Sequence, residues 1–348
     1  MTRRLRFLLA ILSFILLGCT AWAQSGSPAE PKKSSAVEPE ERPWPTGNAA
    51  TVNGQPLSEA AVQRVLISVP KDKQKEARVE IVDSLVDNLL LDQYLQQVQP
   101  NVDQKEVDKR FAEVRQEIEK GGQKPEKVLR SFFLTEKEVK DQIAADLRWE
   151  AFLKGKATET VLKDLFTKEP EIVDGSMVRA RHILLMPPAG DAKACEQAQQ
   201  QLKQIKQDIE KKVSEGLAKL PKDADKLTIE RERCKLVDEA FAAAAKDKSV
   251  CPSKSAGGDV NYFARNGSMV EPFAKAAFAL RTYQMSDVIK TQFGYHLILV
   301  TDRKAGTAVK FDTVAEEVKE VYGMRLRVDI VGQLRSQSKI VMAPAPKD

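Results

Sequence analysis

Two periodicities divide this chain. From residue 49 to about 170, apolar residues recur mostly at spacings of three and four, as in Val79, Ile81, Val82, Leu85, Val86, Leu89, Leu90, Tyr94 and Leu95. From about Met177 the pattern changes to short alternating runs: RARHILLM over 179–186 and TQFGYHLILV over 291–300. A period near 3.6 buries one stripe of a helix, and a period of two buries one face of a strand. The expectation is a helical region over 49–170, then a region mixing strands and helices over 177–303. The fold class expected for the whole is α+β.

Local signals refine the helical part. Asn53-Gly54 marks a turn after a short β-like stretch, and Ser58 is a candidate N-cap for the helix behind it. Residues 72–98 read as a helix, and another begins at Asp103 with Val107, Phe111, Val114 and Ile118 on one face. Thr135-Glu-Lys-Glu138 is a capping box that opens a helix to about Lys154. Residues 49–170 hold no His, no Cys and no glycine-rich phosphate loop. Beyond the mixed region, Phe311–Arg335 is helical again, with Val314, Val318, Val321, Val328 and Val331 as a loose stripe. KIVM, near 339–342, is a short β-like piece.

The N-terminus reads as an export signal over residues 1–23. Arg3, Arg4 and Arg6 precede an apolar run from Phe7 to Leu17, too short to span a bilayer comfortably. Two processing outcomes stay open. Leu16-Leu17-Gly18-Cys19 resembles a lipobox that would leave Cys19 lipidated, and Ala21-Trp22-Ala23 resembles an ordinary cleavage site. Residues 24–48 are rich in Pro, Ser and Glu and read as a disordered spacer. The expected location is the periplasm or cell envelope, with membrane attachment only in the lipobox outcome, through the lipid on Cys19. The net charge of +5 is spread along the chain with no basic block, which argues against a nucleic-acid partner.

The chain of 348 residues has only two histidines, His182 and His296, and each lies in one of the alternating runs. Alternation puts each ring on a sheet face rather than in water. With nothing else around them, such histidines would be structural. Metal binding is a poor reading, because two distant histidines and scattered thiols lack ligand spacing; no cofactor is expected. A cysteine-protease reading has only one His and one Cys to stand on.

Three ordered blocks give the histidines a context: RARHILLM, then CPSKSAGGDVNYFARNGSMVEPF from Cys251, then TQFGYHLILV. Together, over roughly 177–303, they resemble the parvulin (PpiC, rotamase) family of peptidyl-prolyl cis–trans isomerases. The resemblance implies a four-stranded antiparallel sheet surrounded by helices. It implies His182 and His296 on adjacent strands, hydrogen-bonded to each other, with Cys251 and Thr291 completing a catalytic polar cluster. It also implies a proline pocket of Met269 and Phe273, with Val260 and Phe263 beside them. Asp occupies the Cys251 position in some family members, so the thiol is assigned a noncovalent role.

Three departures stand out. Asn261 follows Gly257-Gly258-Asp259-Val260 where the family usually has glycine, and Tyr283 replaces a common turn glycine. The segment 214–235 is an insertion, expected to lengthen the first helix or to form a flap. Cys195 and Cys234 flank it and are expected to lie close enough for a disulfide, leaving Cys251 free.

The order of signal, spacer, helical region, isomerase-like domain and final helix resembles the exported SurA-like and PrsA-like foldases. This implies unfolded or nascent exported proteins with X-Pro bonds as partners. It also implies that residues 311–342 return to the N-terminal part: the helix packing on 72–98 and 135–154, and KIVM lying against the strand near 50–53. The function expected is an exported isomerase that assists folding; the alternative is a client-binding chaperone with a vestigial isomerase site.

Overall fold

The structure is a computed structural model that describes residues 43–99, 101–188 and 190–344. The export signal, Cys19 and all of the spacer before residue 43 lie outside the described residues. The chain forms two compact units. One comprises the described residues up to Thr158 and those from Tyr322 onward; the other is Glu159–Val321.

The first unit opens with β1 (Asn48–Val52) and β2 (Gln55–Ser58), an antiparallel hairpin turned at Asn53 and Gly54 with φ of 52° and 86°. Both turn residues take positive φ, which Asn-Gly tolerates. Strand β7 (Ile340–Met342) pairs antiparallel with the other edge of β1, giving the order β2-β1-β7. Helix α1 (Glu59–Leu66) starts at Ser58, whose hydroxyl accepts from the Ala61 amide. Next come α2 (Gln74–Val98), α3 (Gln104–Lys120), α4 (Pro125–Ser131) and α5 (Glu136–Lys156). The capping box at α5 is formed: Thr135 and Glu138 each accept from the other's backbone amide. Arg78 of α2 grips the buried Glu59 of α1 with two bonds of 2.6 and 2.8 Å.

The last helix is long, Phe311–Gln337, and its stretch from Tyr322 belongs to the first unit. There Val331 packs with Leu91 and Leu95 of α2 and with Trp149 and Phe152 of α5. Arg327 bonds Asn88, and Arg335 bonds Asp83 and Asp87. Two members of the apolar patterns face solvent instead: Val79 is 63% exposed and Val328 65%. A stripe read at threes and fours drifts around a helix of 3.6 residues per turn, so its outlying members leave the buried face.

The second unit begins with α6 (Glu159–Lys168), followed by β3 (Met177–Leu185). A helical hairpin follows, α7 (Ala192–Leu217) and α8 (Lys226–Lys248). Then come β4 (Asp259–Ala264), α9 (Glu271–Ala279), β5 (Ile289–Thr291) and β6 (Gly294–Lys304). The final helix, from Phe311, is α10. The four strands form one antiparallel sheet in the order β4-β3-β6-β5. The chain is therefore α+β, with a helical first unit and a four-stranded antiparallel sheet in the second. Each sheet face has its own core. Ile183, Leu185, Leu297 and Leu299 pack against Leu202 and Ile205 of α7 and Val237 and Phe241 of α8. Val178, Ala180, Ile298 and Val300 pack against Phe263 of β4 and Phe273, Ala277 and Phe278 of α9.

The segment 214–235 is the end of this hairpin: α7 runs to Leu217 and α8 starts at Lys226. The expected disulfide across it is not there; Cys195 and Cys234 are free thiols. The hairpin explains why. A Cβ on Gly216 of α7 would meet Leu236 of α8, so Cys234 lies beside the far end of α7. Cys195 is near the start of that helix, about 30 Å away at 1.5 Å per residue. A disulfide needs Cα atoms within roughly 7 Å.

Candidate active site

The site grows out of the register of β3 and β6. His182 pairs with Ile298 and Leu184 with His296, so the two histidines are diagonal neighbours on the same sheet face. That face is the one covered by α9. His182 and His296 are 6% and 4% exposed. Their Nδ1 atoms are 3.2 Å apart, and their rings stack at 5.4 Å with an interplanar angle of 17°. His296 Nε2 is 2.8 Å from Thr291 Oγ1 at the end of β5. The same hydroxyl oxygen accepts from the Phe293 amide at 3.1 Å, which fixes it in place.

Two tautomer patterns satisfy this chain. If Thr291 donates to His296 Nε2, then His296 Nδ1–H donates to His182 Nδ1 and His182 carries its proton on Nε2. The reverse pattern has His182 donating and Thr291 accepting. The contact excludes two cationic rings, which would face each other with donors only, and both patterns as drawn carry two neutral imidazoles. Burial enforces this by pushing both rings down to about 4, with His182 adding to the effect at His296. His182 Nε2 is buried without a hydrogen-bond partner among the described residues.

Phe273 walls the pair. Its ring stands edge-on to both histidines, at 5.5 Å from His182 and 5.4 Å from His296. Phe263 lies 5.8 Å from Phe273. Both phenylalanines are buried, whereas Val260 and Met269, packed on the same cluster, are half-buried. The four residues expected to form a proline pocket thus share one apolar cluster, with Val260 and Met269 as its accessible members.

Cys251 is brought to the same strand by a different route. It precedes a 3-10 turn, Pro252–Ala256, and its Sγ accepts from Ser253 Oγ at 3.2 Å. Among the described residues, no hydrogen bond joins the thiol to the histidines or Thr291. Its connection to β3 runs through Ser249, whose buried hydroxyl accepts from the Leu184 amide at 3.1 Å and the Cys251 amide at 3.3 Å. After the turn, the Gly258 carbonyl accepts from the His182 amide at 2.9 Å. A Cβ at Gly258 would lie 2.3 Å from the His182 oxygen, and its φ is 78°, so only glycine fits. The two family departures also take positive φ: Asn261 at 61° and Tyr283 at 58°. Asn261 is steadied by its amide bonding Asp259 at 2.8 Å.

Ser249 and Arg181, which bonds the Ala256 and Gly257 carbonyls, were not legible as site residues. Their ties to the loop run through backbone groups, which no residue pattern marks. The one hint for Ser249 is its place at the end of α8, directly before the strand-like Val250-Cys251 step.

Part of this region is similar to known proteins, the stretch from α8 to β6. Residues 222–302 match the Rotamase family, described as a PPIC-type PPIASE domain. The foldase protein PrsA of Bacillus subtilis is 44% identical over 97 residues, which is 28% of this chain and 32% of that protein. The putative peptidyl-prolyl cis-trans isomerase Cbf2 of Campylobacter jejuni is 40% identical over 87 residues, 24% of this chain and 32% of its own length. The chain thus spans about a third of the length of these relatives. Among solved structures, PrsA from Bacillus anthracis aligns over 73% of this chain and 96% of its own, at 21% identity and a TM-score of 0.42. The chain therefore carries, over residues 222–302, a PPIC-type PPIase domain of the Rotamase family.

Proposed function

We propose that this protein is an exported peptidyl-prolyl cis–trans isomerase that assists the folding of other exported proteins by rotating X-Pro bonds without covalent chemistry. The observation that carries the reading is the neutral histidine pair. It is bonded to Thr291, walled by Phe273, and set beside the accessible apolar edge of Met269 and Val260. The names of the two relatives, a foldase and an isomerase, agree with it.

The barrier to be lowered is about 18–20 kcal/mol, because resonance holds the amide planar. At the twisted transition state that resonance is lost. The enzyme needs only to bind the twisted form better than either planar one, each 1.36 kcal/mol of difference being about tenfold in rate. A proline ring resting on Met269, Val260 and the edge of Phe273 would be held while its amide partner turns. Neutral imidazoles favour this work, since a cation next to the apolar cluster would keep water in the site. Cys251, with Ser253 donating to its sulfur, adds a weakly polar wall. Cys251, His182, His296 and Thr291 are assigned to tuning the field rather than to attack or proton transfer.

A second reading, a client-binding chaperone with a vestigial isomerase site, draws on one observation. The first unit holds a half-open cavity of about 260 Å3 lined in part by Leu57, Leu85, Leu89, Leu95 and Trp149. A coupled isomerisation assay on short X-Pro peptides, with the full chain and a Met269→Ala, Phe273→Ala double variant, separates the two. Activity in the wild type that is lost in the variant supports the isomerase. Suppression of client aggregation with no peptide activity in either supports the chaperone alone.

A further inference from the structure

The loop that carries Cys251 has to be held at a fixed height on β3. Three of its ties are short and local: the Ser249 hydroxyl on Leu184, the Val250 amide on the Leu184 carbonyl at 3.0 Å, and the Gly258 carbonyl on the His182 amide. The fourth comes from a side chain on the opposite sheet face from His182. Arg181 Nε and Nη2 grip both oxygens of Asp238 on α8, at 2.7 and 3.2 Å. Its Nη1 donates to the Ala256 carbonyl at 2.9 Å and the Gly257 carbonyl at 3.3 Å. One guanidinium thereby joins the strand that carries His182, a helix of the core, and the left-handed turn that ends the Cys251 loop. Gly257 has φ of 67°, and a Cβ there would be 3.2 Å from Arg181 Nη1 and 2.8 Å from the Ala242 Cβ. The turn is packed onto the arginine. Only a planar fork can hold a carboxylate and adjacent carbonyls at once; a lysine ammonium would have to choose.

We propose that Arg181 is the positioning residue for Cys251. By bridging Asp238 to the carbonyls of residues 256 and 257, it sets where the thiol stands relative to the His182, His296 and Thr291 cluster. Arg181 has no access to substrate itself, since it lies across the sheet from the histidines. The effect on rate rests on the isomerase reading; the effect on the thiol does not.

The test compares full-length wild type, Arg181→Ala and Arg181→Lys, with Lys206→Ala as a control that removes only the ion pair with Asp287. Two quantities are read: kcat and KM on an X-Pro peptide, and the rate at which iodoacetamide alkylates Cys251, followed by mass mapping of its peptide. Arg181→Ala is expected to lower kcat by roughly tenfold or more with KM little changed, as for a small misplacement of an active group. It is also expected to speed alkylation of Cys251 severalfold, because the loop opens. Arg181→Lys should fall between, and Lys206→Ala should match wild type. A folded Arg181→Ala protein with wild-type kcat and wild-type alkylation would overturn the proposal. If that variant does not fold, wild-type behaviour of Arg181→Lys in both readouts overturns it instead. If wild type shows no isomerase activity, the isomerase reading fails and the alkylation rates alone decide the positioning role.

Discussion

Lowering the pH from neutral should unfold the second unit before it protonates the site. Both imidazoles sit at about 4 in the folded chain, against an ordinary 6.5. Between those values the unfolded chain takes up protons that the folded chain refuses. The stability the neutral pair contributes is therefore whole above 6.5, falls as pH drops, and levels off only below about 4. The difference of 2.5 units, 6.5 less 4, corresponds to about 3 kcal/mol per ring at 1.36 kcal/mol per unit. The two rings add, and since a second proton on rings in contact is harder to place than the first, their contact only enlarges the loss. A loss of this size is a large share of the ~5–15 kcal/mol that holds a typical domain together. The chain is well suited to the measurement, since it has two histidines in all. Their imidazole proton resonances, followed by NMR from pH 8 to 4, should stay at neutral positions in the folded protein until it unfolds. Urea titrations at each pH, read on the same resonances, should give midpoints that fall steadily below pH 6.5. Trp22, Trp44 and Trp149 all precede residue 159, so fluorescence would report the wrong unit. A folded-state titration midpoint near 6.5 for either ring would refute the argument that burial keeps the pair neutral.

Three further outcomes follow from the same contacts. Thr291→Val removes the hydroxyl that serves both His296 Nε2 and the Phe293 amide; unfolding titrations should show a loss of about 1–3 kcal/mol. Gly258→Ala forces a Cβ toward the His182 carbonyl at positive φ and should cost more than about 1 kcal/mol, with both imidazole resonances shifted. Full-length protein held in oxidised glutathione should show no Cys195–Cys234 crosslink by mass spectrometry, and finding one would contradict the hairpin register.

The fold was legible where one residue pattern answers to one physical demand. Alternation around His182 and His296 marks strands because a sheet sorts its side chains by parity, and the two cores on either face of β3 and β6 obey it. Ser58 and the Thr135–Glu138 box announce helix starts because orphan amides need a nearby oxygen. The disulfide expectation failed because nearness in sequence around 214–235 says nothing about register in a helical hairpin. There, residues flanking a turn at different distances end far apart. Val79 and Val328 follow the apolar periodicity yet face solvent, because periodicity cannot say where a stripe stops. In the site, the two histidines, Thr291 and Phe273 are side chains that meet one another, and the family blocks point to them. Arg181 and Ser249 act on backbone carbonyls and amides contributed by other segments. No spacing in the sequence marks such bonds, so they emerge only from coordinates.

The most direct test of the isomerase account is exchange NMR on a short X-Pro peptide with a catalytic amount of the full-length protein. The account predicts strong cis–trans exchange cross-peaks that are absent from the peptide alone. It also predicts that they persist in Cys251→Asp, since no covalent step is involved. A protein whose imidazole resonances show the histidine pair folded, yet which leaves the peptide's exchange at its uncatalysed rate, would contradict it.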